Sequence, residues 1–161
     1  MSLKSPKSLS ILLVSNQRSA VSALMADHIQ ALLRHSRHWI YPIDPQALQE
    51  EGGFDFSDYD AIAFDQTVSV QQDDVIPQRI REEIGQFPGL KVLFAHDTFQ
   101  DIDAICAAIR QMKVGVVFTR VPESQFERVL GQRLPEVKLV HWIGGCISDR
   151  LVQANSPLLR D

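Results

Sequence analysis

The sequence predicts a three-layer α/β domain, in which a mostly parallel sheet of five to six strands carries helices on both faces. Three observations predict it. Short runs of branched apolar residues recur along the chain, and amphipathic segments of helical period separate most of them. Each intervening stretch is also long enough for the crossover that parallel pairing requires.

Residues 9–14 (LSILLV) form the first such run and read as a buried strand. A polar loop, 15–19, follows, with Ser19 placed to cap a helix. Val21, Leu24, Met25, Ile29, Leu32 and Leu33 recur at helical spacing, and His28 falls on the same apolar face, where it reads as a packed residue. The basic stretch 34–38 suits the negative end of that helix dipole. Residues 39–41 read as a second strand stopped by Pro42, and 44–58 as a loop with one helical turn near Ala47-Leu48.

Residues 59–64 form the third strand, with Asp65 at its carboxyl end. Pro77 opens a helix whose buried face is Ile76, Ile80, Ile84 and Phe87. The fourth strand is 90–95, followed by His96-Asp97 and a helix striped by Ile102, Ile105, Cys106, Ile109 and Met112. The fifth strand is 114–119, Pro122 leads a short helix, and 137–141 form the sixth strand. Right-handed crossovers place the helices on both faces, so the whole is Rossmann-like. Residues 1–8 read as a flexible leader that begins with a cloning remnant, and 9–161 as one domain.

With 45% apolar and 22% charged residues, a chain of 161 residues can bury its own core. A net charge of -4 argues against a dedicated nucleic-acid binder. The two cysteines lack C-x-x-C spacing, which points away from a disulfide framework or zinc clip and towards a reducing, cytoplasmic setting. No apolar run reaches the length of a transmembrane segment.

Ligands of open α/β sheets bind beyond the carboxyl ends of the strands. That rule selects Ser15, Asn16, Gln17 and Arg18 after the first strand; Asp65, Gln66 and Thr67 after the third; His96, Asp97, Thr98 and Phe99 after the fourth; Thr119 and Arg120 after the fifth; and Gly144-Gly145 after the sixth. The Asn16-Gln17-Arg18 loop suits a sugar hydroxyl or a phosphate, or is simply solvated. Gly144 permits close backbone approach or makes a plain turn. His96 and Asp97 are the candidates for acid–base catalysis, since a carboxylate orients an imidazole. The alternative is an Asp97 helix cap beside a partly buried His96. Asp97, Asp101 and Asp103 match a helix dipole rather than a metal site. No catalytic residue is assigned.

The dinucleotide, P-loop and nucleophile-elbow signatures are absent. A phosphate-accepting receiver domain shares this alternation and an acidic residue at the position of Asp65. It also needs an acidic pair after strand one and a lysine after strand five, where this chain has Ser15-Asn16 and Thr119-Arg120.

Four segments carry a resemblance: YDAIAFD (59–65), FPGLKVLFAHDTFQDIDA (87–104), VGVVFTRVPESQFERVL (114–130) and RLPEVKLVHWIGG (133–145). In order and spacing they are similar to the FDAI, GLKVLFIQDEYR, VLFTCVPE, LPGV and LTGY segments of a family of bacterial glycosyltransferase-like proteins. Asp97 and Gly144 match that pattern; its glutamate, glutamine and tyrosines are replaced here. The resemblance implies the N-terminal, acceptor-side half of a GT-B enzyme, incomplete as a catalyst on its own. It implies a glycan or other small-molecule acceptor as partner, no cofactor in this chain, and a sugar-nucleotide donor held by a C-terminal domain of the same parent protein. The alternative is a stand-alone receiver-like binding or signalling module without catalysis.

Overall fold

The computed structural model describes residues 7–16, 23–50, 53–95 and 101–143. The elements are β1 (Ser10–Val14), α1 (Ala23–His35), β2 (Trp39–Ile43), β3 (Ala61–Phe64), α2 (Gln78–Gln86), β4 (Leu90–Ala95), α3 (Ile102–Met112), β5 (Val116–Thr119) and β6 (Lys138–His141). A 3-10 turn, Pro45–Gln49, follows β2 and is capped by Asp44, whose side chain accepts from the Gln46 amide. The single helix expected after Pro122 is instead a 3-10 turn, Glu123–Gln125, running into a π turn, Glu127–Gly131, that buries Leu130.

Six strands form one sheet in the order β2-β1-β3-β4-β5-β6, and every neighbouring pair is parallel. Strand side chains alternate between faces, and the register keeps that alternation across the sheet. Leu12, Val14, Ile62, Phe64, Leu93 and Val117 share one face, where they pack with Ile80 and Ile84 of α2 and Ile105, Ile109 and Met112 of α3. Leu13 and Ala63 face the other way and meet Ile29 of α1, with Leu32, Leu33 and Val92 around them. Helices therefore lie on both faces, giving three layers. Cys106 sits in the larger core, fully buried.

β2 does not stop at Pro42 but runs through it to Ile43. The strand is a sheet edge. Trp39 donates its amide to Leu9 and Ile43 accepts from Ser15, so residues 39 and 43 face β1. By alternation Pro42 presents its missing N–H to the open edge, where no partner is lost.

α2 and α3 approach closely because Gly85 has no side chain: a Cβ there would lie 2.5 Å from the Gln111 carbonyl oxygen. Gly85→Ala is expected to destabilise the domain by about 1–3 kcal/mol, despite alanine's better helix propensity. Urea unfolding checks this; a neutral or stabilising result would mean the two helices separate freely.

Candidate functional site

The sheet changes direction between β1 and β3. The chain leaves β1 for β2 on one side and leaves β3 for β4 on the other. In an open α/β sheet a crevice forms outside the carboxyl ends at such a switch point. Ser15 and Asp65 extend the two strands by one residue each: the Ser15 amide donates to Ile43 at 2.9 Å and the Asp65 amide to Val14 at 2.9 Å. Strand parity turns both side chains towards α1, and both residues are 0% exposed.

His28 reaches down from α1 and is itself buried. Its Nε2 lies 3.6 Å from Asp65 Oδ1, beyond hydrogen-bond length. The ring is enclosed by Phe94 of β4 (centroids 5.4 Å apart) and Trp142 after β6 (5.2 Å). Asp65 Oδ2 accepts from the Thr67 amide, and Thr67 Oγ1 accepts from the Asn16 amide. Among the described residues, Ser15 Oγ, His28 Nε2 and Asp65 Oδ1 have no hydrogen-bond partner. Each orphaned buried polar group costs about 1–3 kcal/mol, so this cluster does not stabilise the fold.

Burial holds the His28 imidazole below its ordinary pKa, and the Asp65 carboxylate opposes that shift only in part. The folded state therefore binds the proton less readily than the unfolded chain does. The cost of protonating the buried ring is absent above about pH 6.5 and lowers the stability of the fold as the pH drops below that value. Urea midpoints are expected to fall from pH 7.5 to pH 5.5, and to fall less in His28→Gln. An equal fall in the variant would place the proton uptake elsewhere.

Beside this cluster on the same rim is a cavity of about 280 Å³. Asn16 after β1, Asp44, Gln46 and Gln49 after β2, and Asp74 line it. Gln49 is fixed by its own side-chain donation to the Val75 carbonyl at 3.1 Å.

Of the residues expected from sequence, Asn16 and Asp65 are brought together through Thr67. Thr119 is fully buried on the opposite sheet face, and its Oγ1 accepts from the Val121 amide at 3.2 Å. Arg120 is exposed at the end of β5, two strands from Asp65. Gln17, Arg18, His96, Asp97 and Gly144 lie outside the described residues, as do Ser19 and Val21. Sequence reasoning missed Asp44, Gln46, Gln49 and Asp74. Carrying β2 through Pro42 would have put Asp44 at a strand end and brought this loop under the same rule. His28 was visible as the one polar residue on an apolar stripe.

No helix among the described residues is long and apolar enough to cross a membrane. No family model, curated protein or solved structure matches the chain.

Proposed function

We propose that this chain is the acceptor-side domain of a GT-B-like glycosyltransferase and receives a hydroxyl-bearing acceptor at its carboxyl rim. The observation that carries this is the cavity beside the β1/β3 switch point, whose polar lining is carboxylates and amides. Sugar hydroxyls both donate and accept, and Asp, Asn and Gln side chains supply the complementary groups at close spacing. The four segments that resemble the glycosyltransferase-like family include, in order, β3, β4 with the first residues of α3, β5 with the turns after it, and β6. In this reading the sugar-nucleotide donor is held by a second Rossmann-like domain of the parent protein, in the cytoplasm. The chain on its own binds the acceptor without transferring to it.

The test is an amide NMR titration with methyl glucoside, methyl galactoside and methyl N-acetylglucosaminide. Shifts are expected at Asn16, Gln46, Gln49 and Asp74. Gln49→Ala is expected to weaken binding about tenfold, the worth of one good hydrogen bond. Silence with all three sugars, or shifts confined to the amino end of the sheet, would overturn the proposal.

One observation favours a second reading, a receiver-like binding module without catalysis. The order β2-β1-β3-β4-β5 is the flavodoxin-like order, and Asp65 stands at the end of β3. At 0% exposure, however, Asp65 is closed to a phosphoryl donor. This module would bind a protein and stay silent in the sugar titration.

A further inference from the structure

At the opposite end of the sheet, where β3 and β4 begin, an open groove of about 720 Å³ runs between the residues that precede those strands. Phe54, Phe56, Tyr59 and Phe87 line it, together with Asp55 and Asp60. The rings form a chain: Phe56 lies 6.2 Å from Phe87, Phe54 5.1 Å from Phe56, and Tyr59 stacks on Phe54 at 6.2 Å. Tyr59 also meets Tyr41 edge-on at 5.7 Å, so the aromatic surface continues onto β2, where Trp39 is 67% exposed. Gly89 sets the floor. A Cβ there would lie 2.3 Å from the Phe87 ring and 2.5 Å from the Asp60 carbonyl.

Among the described residues that line this groove, the ionisable side chains are the two carboxylates and the Tyr59 phenol. Asp55 accepts from the Ser57 amide at 2.8 Å, and Asp60 from the Ser10 amide at 2.9 Å. These bonds hold both carboxyls below their ordinary pKa, so both are ionised at neutral pH. Lys7 lies 3.6 Å from Asp60, but its side chain is 81% exposed and screens the carboxylate little. Phe87 already shows the chemistry: the Lys91 ammonium sits 5.8 Å from its centroid and donates to its carbonyl at 2.6 Å.

We propose that this groove docks an arginine-bearing segment of a partner protein. Ring faces carry negative quadrupole potential and attract a cation, most of all a planar guanidinium that can stack. A guanidinium also presents paired N–H groups that fit a carboxylate. Ionised Asp55 and Asp60 repel phosphate and acidic peptides, which fixes the sign of the partner. The groove is open, and at about 720 Å³ it holds more than one side chain. Its continuation to the exposed Trp39 and Tyr41 on the β2 edge gives an extended segment a surface to follow.

The experiment compares the peptide acetyl-Gly-Arg-Gly-Arg-Gly-amide with the same peptide carrying citrulline, which keeps shape and loses charge. Amide shifts are expected at residues 54–60 and 86–89, with the citrulline peptide at least about tenfold weaker. Asp55→Asn with Asp60→Asn is expected to weaken the arginine peptide about tenfold while keeping a side-chain oxygen that accepts from the Ser57 and Ser10 amides. Phe54→Leu is a second, volume-matched variant, and circular dichroism checks that each is folded. Equal binding of the two peptides, indifference to the variants, or shifts at neither segment would overturn the proposal.

Discussion

Replacing Arg81 with methionine is expected to cost about 2–5 kcal/mol of unfolding free energy, the cost of two orphaned buried carbonyls. The Arg81 side chain is 9% exposed and sits at the start of α2. It donates to the Val70 carbonyl at 3.2 Å, the Ile76 carbonyl at 2.8 Å and the Gln111 side chain at 3.0 Å, and it also pairs with Asp73. The Asp73 pair contributes little, because that carboxylate is 75% exposed and hydrated. The larger loss lies in the two carbonyls, left buried without a donor when the guanidinium goes. Methionine fills the volume of the stem, so the measured loss reports the hydrogen bonds. Urea unfolding gives the free energy, and hydrogen exchange is expected to quicken over residues 66–77 first. A loss under about 1 kcal/mol would show that these carbonyls reach water.

Phe64→Ala is expected to cost a similar amount, about 3–5 kcal/mol, through a different cause. Phe64 is 0% exposed on the last residue of β3, packed on the α2 and α3 side of the sheet. Removing the ring leaves a cavity that rigid neighbours fill only in part. For a domain of this size the melting temperature is expected to drop by roughly 10–15 °C. The same substitution bears on the candidate site, because Asp65 is the next residue and owes its position to the end of β3. A calorimetric scan checks the stability, and the sugar titration run on the variant checks the site. A small melting shift would mean that the surrounding isoleucines collapse into the space.

The strands were legible because branched apolar runs bounded by polar turns leave little choice of conformation. β1 and β4 begin and end within a residue of where their sequence runs do. Pro42 misled because a proline's effect on a strand depends on whether its N–H would have pointed to a neighbour. That in turn depends on β2 lying at the edge, a fact about sheet order that periodicity does not carry. Of the candidate site, Asn16 and Asp65 were legible from their places at strand ends. The Ser15–His28–Asp65 cluster was not. It joins two strand ends to the middle of α1, and only the register of β1 against β3 turns both side chains towards the same helix. The cavity residues Gln46 and Gln49 belong to a 3-10 turn whose seat depends on β2 reaching Ile43.

The central place of β1 shapes how a newborn chain must behave. β1 is made first, yet its two hydrogen-bonding partners are β2 and β3. At ribosomal rates of about 5–20 residues per second, roughly 3–10 s pass between the emergence of Val14 and that of Phe64. Until β2 emerges, Ile11, Leu12, Leu13 and Val14 have neither partner, and until β3 emerges one edge of β1 still has no strand to pair with. Slow translation or crowded polysomes therefore favour capture of this segment by a chaperone or by a sister chain, before the sheet can enclose it.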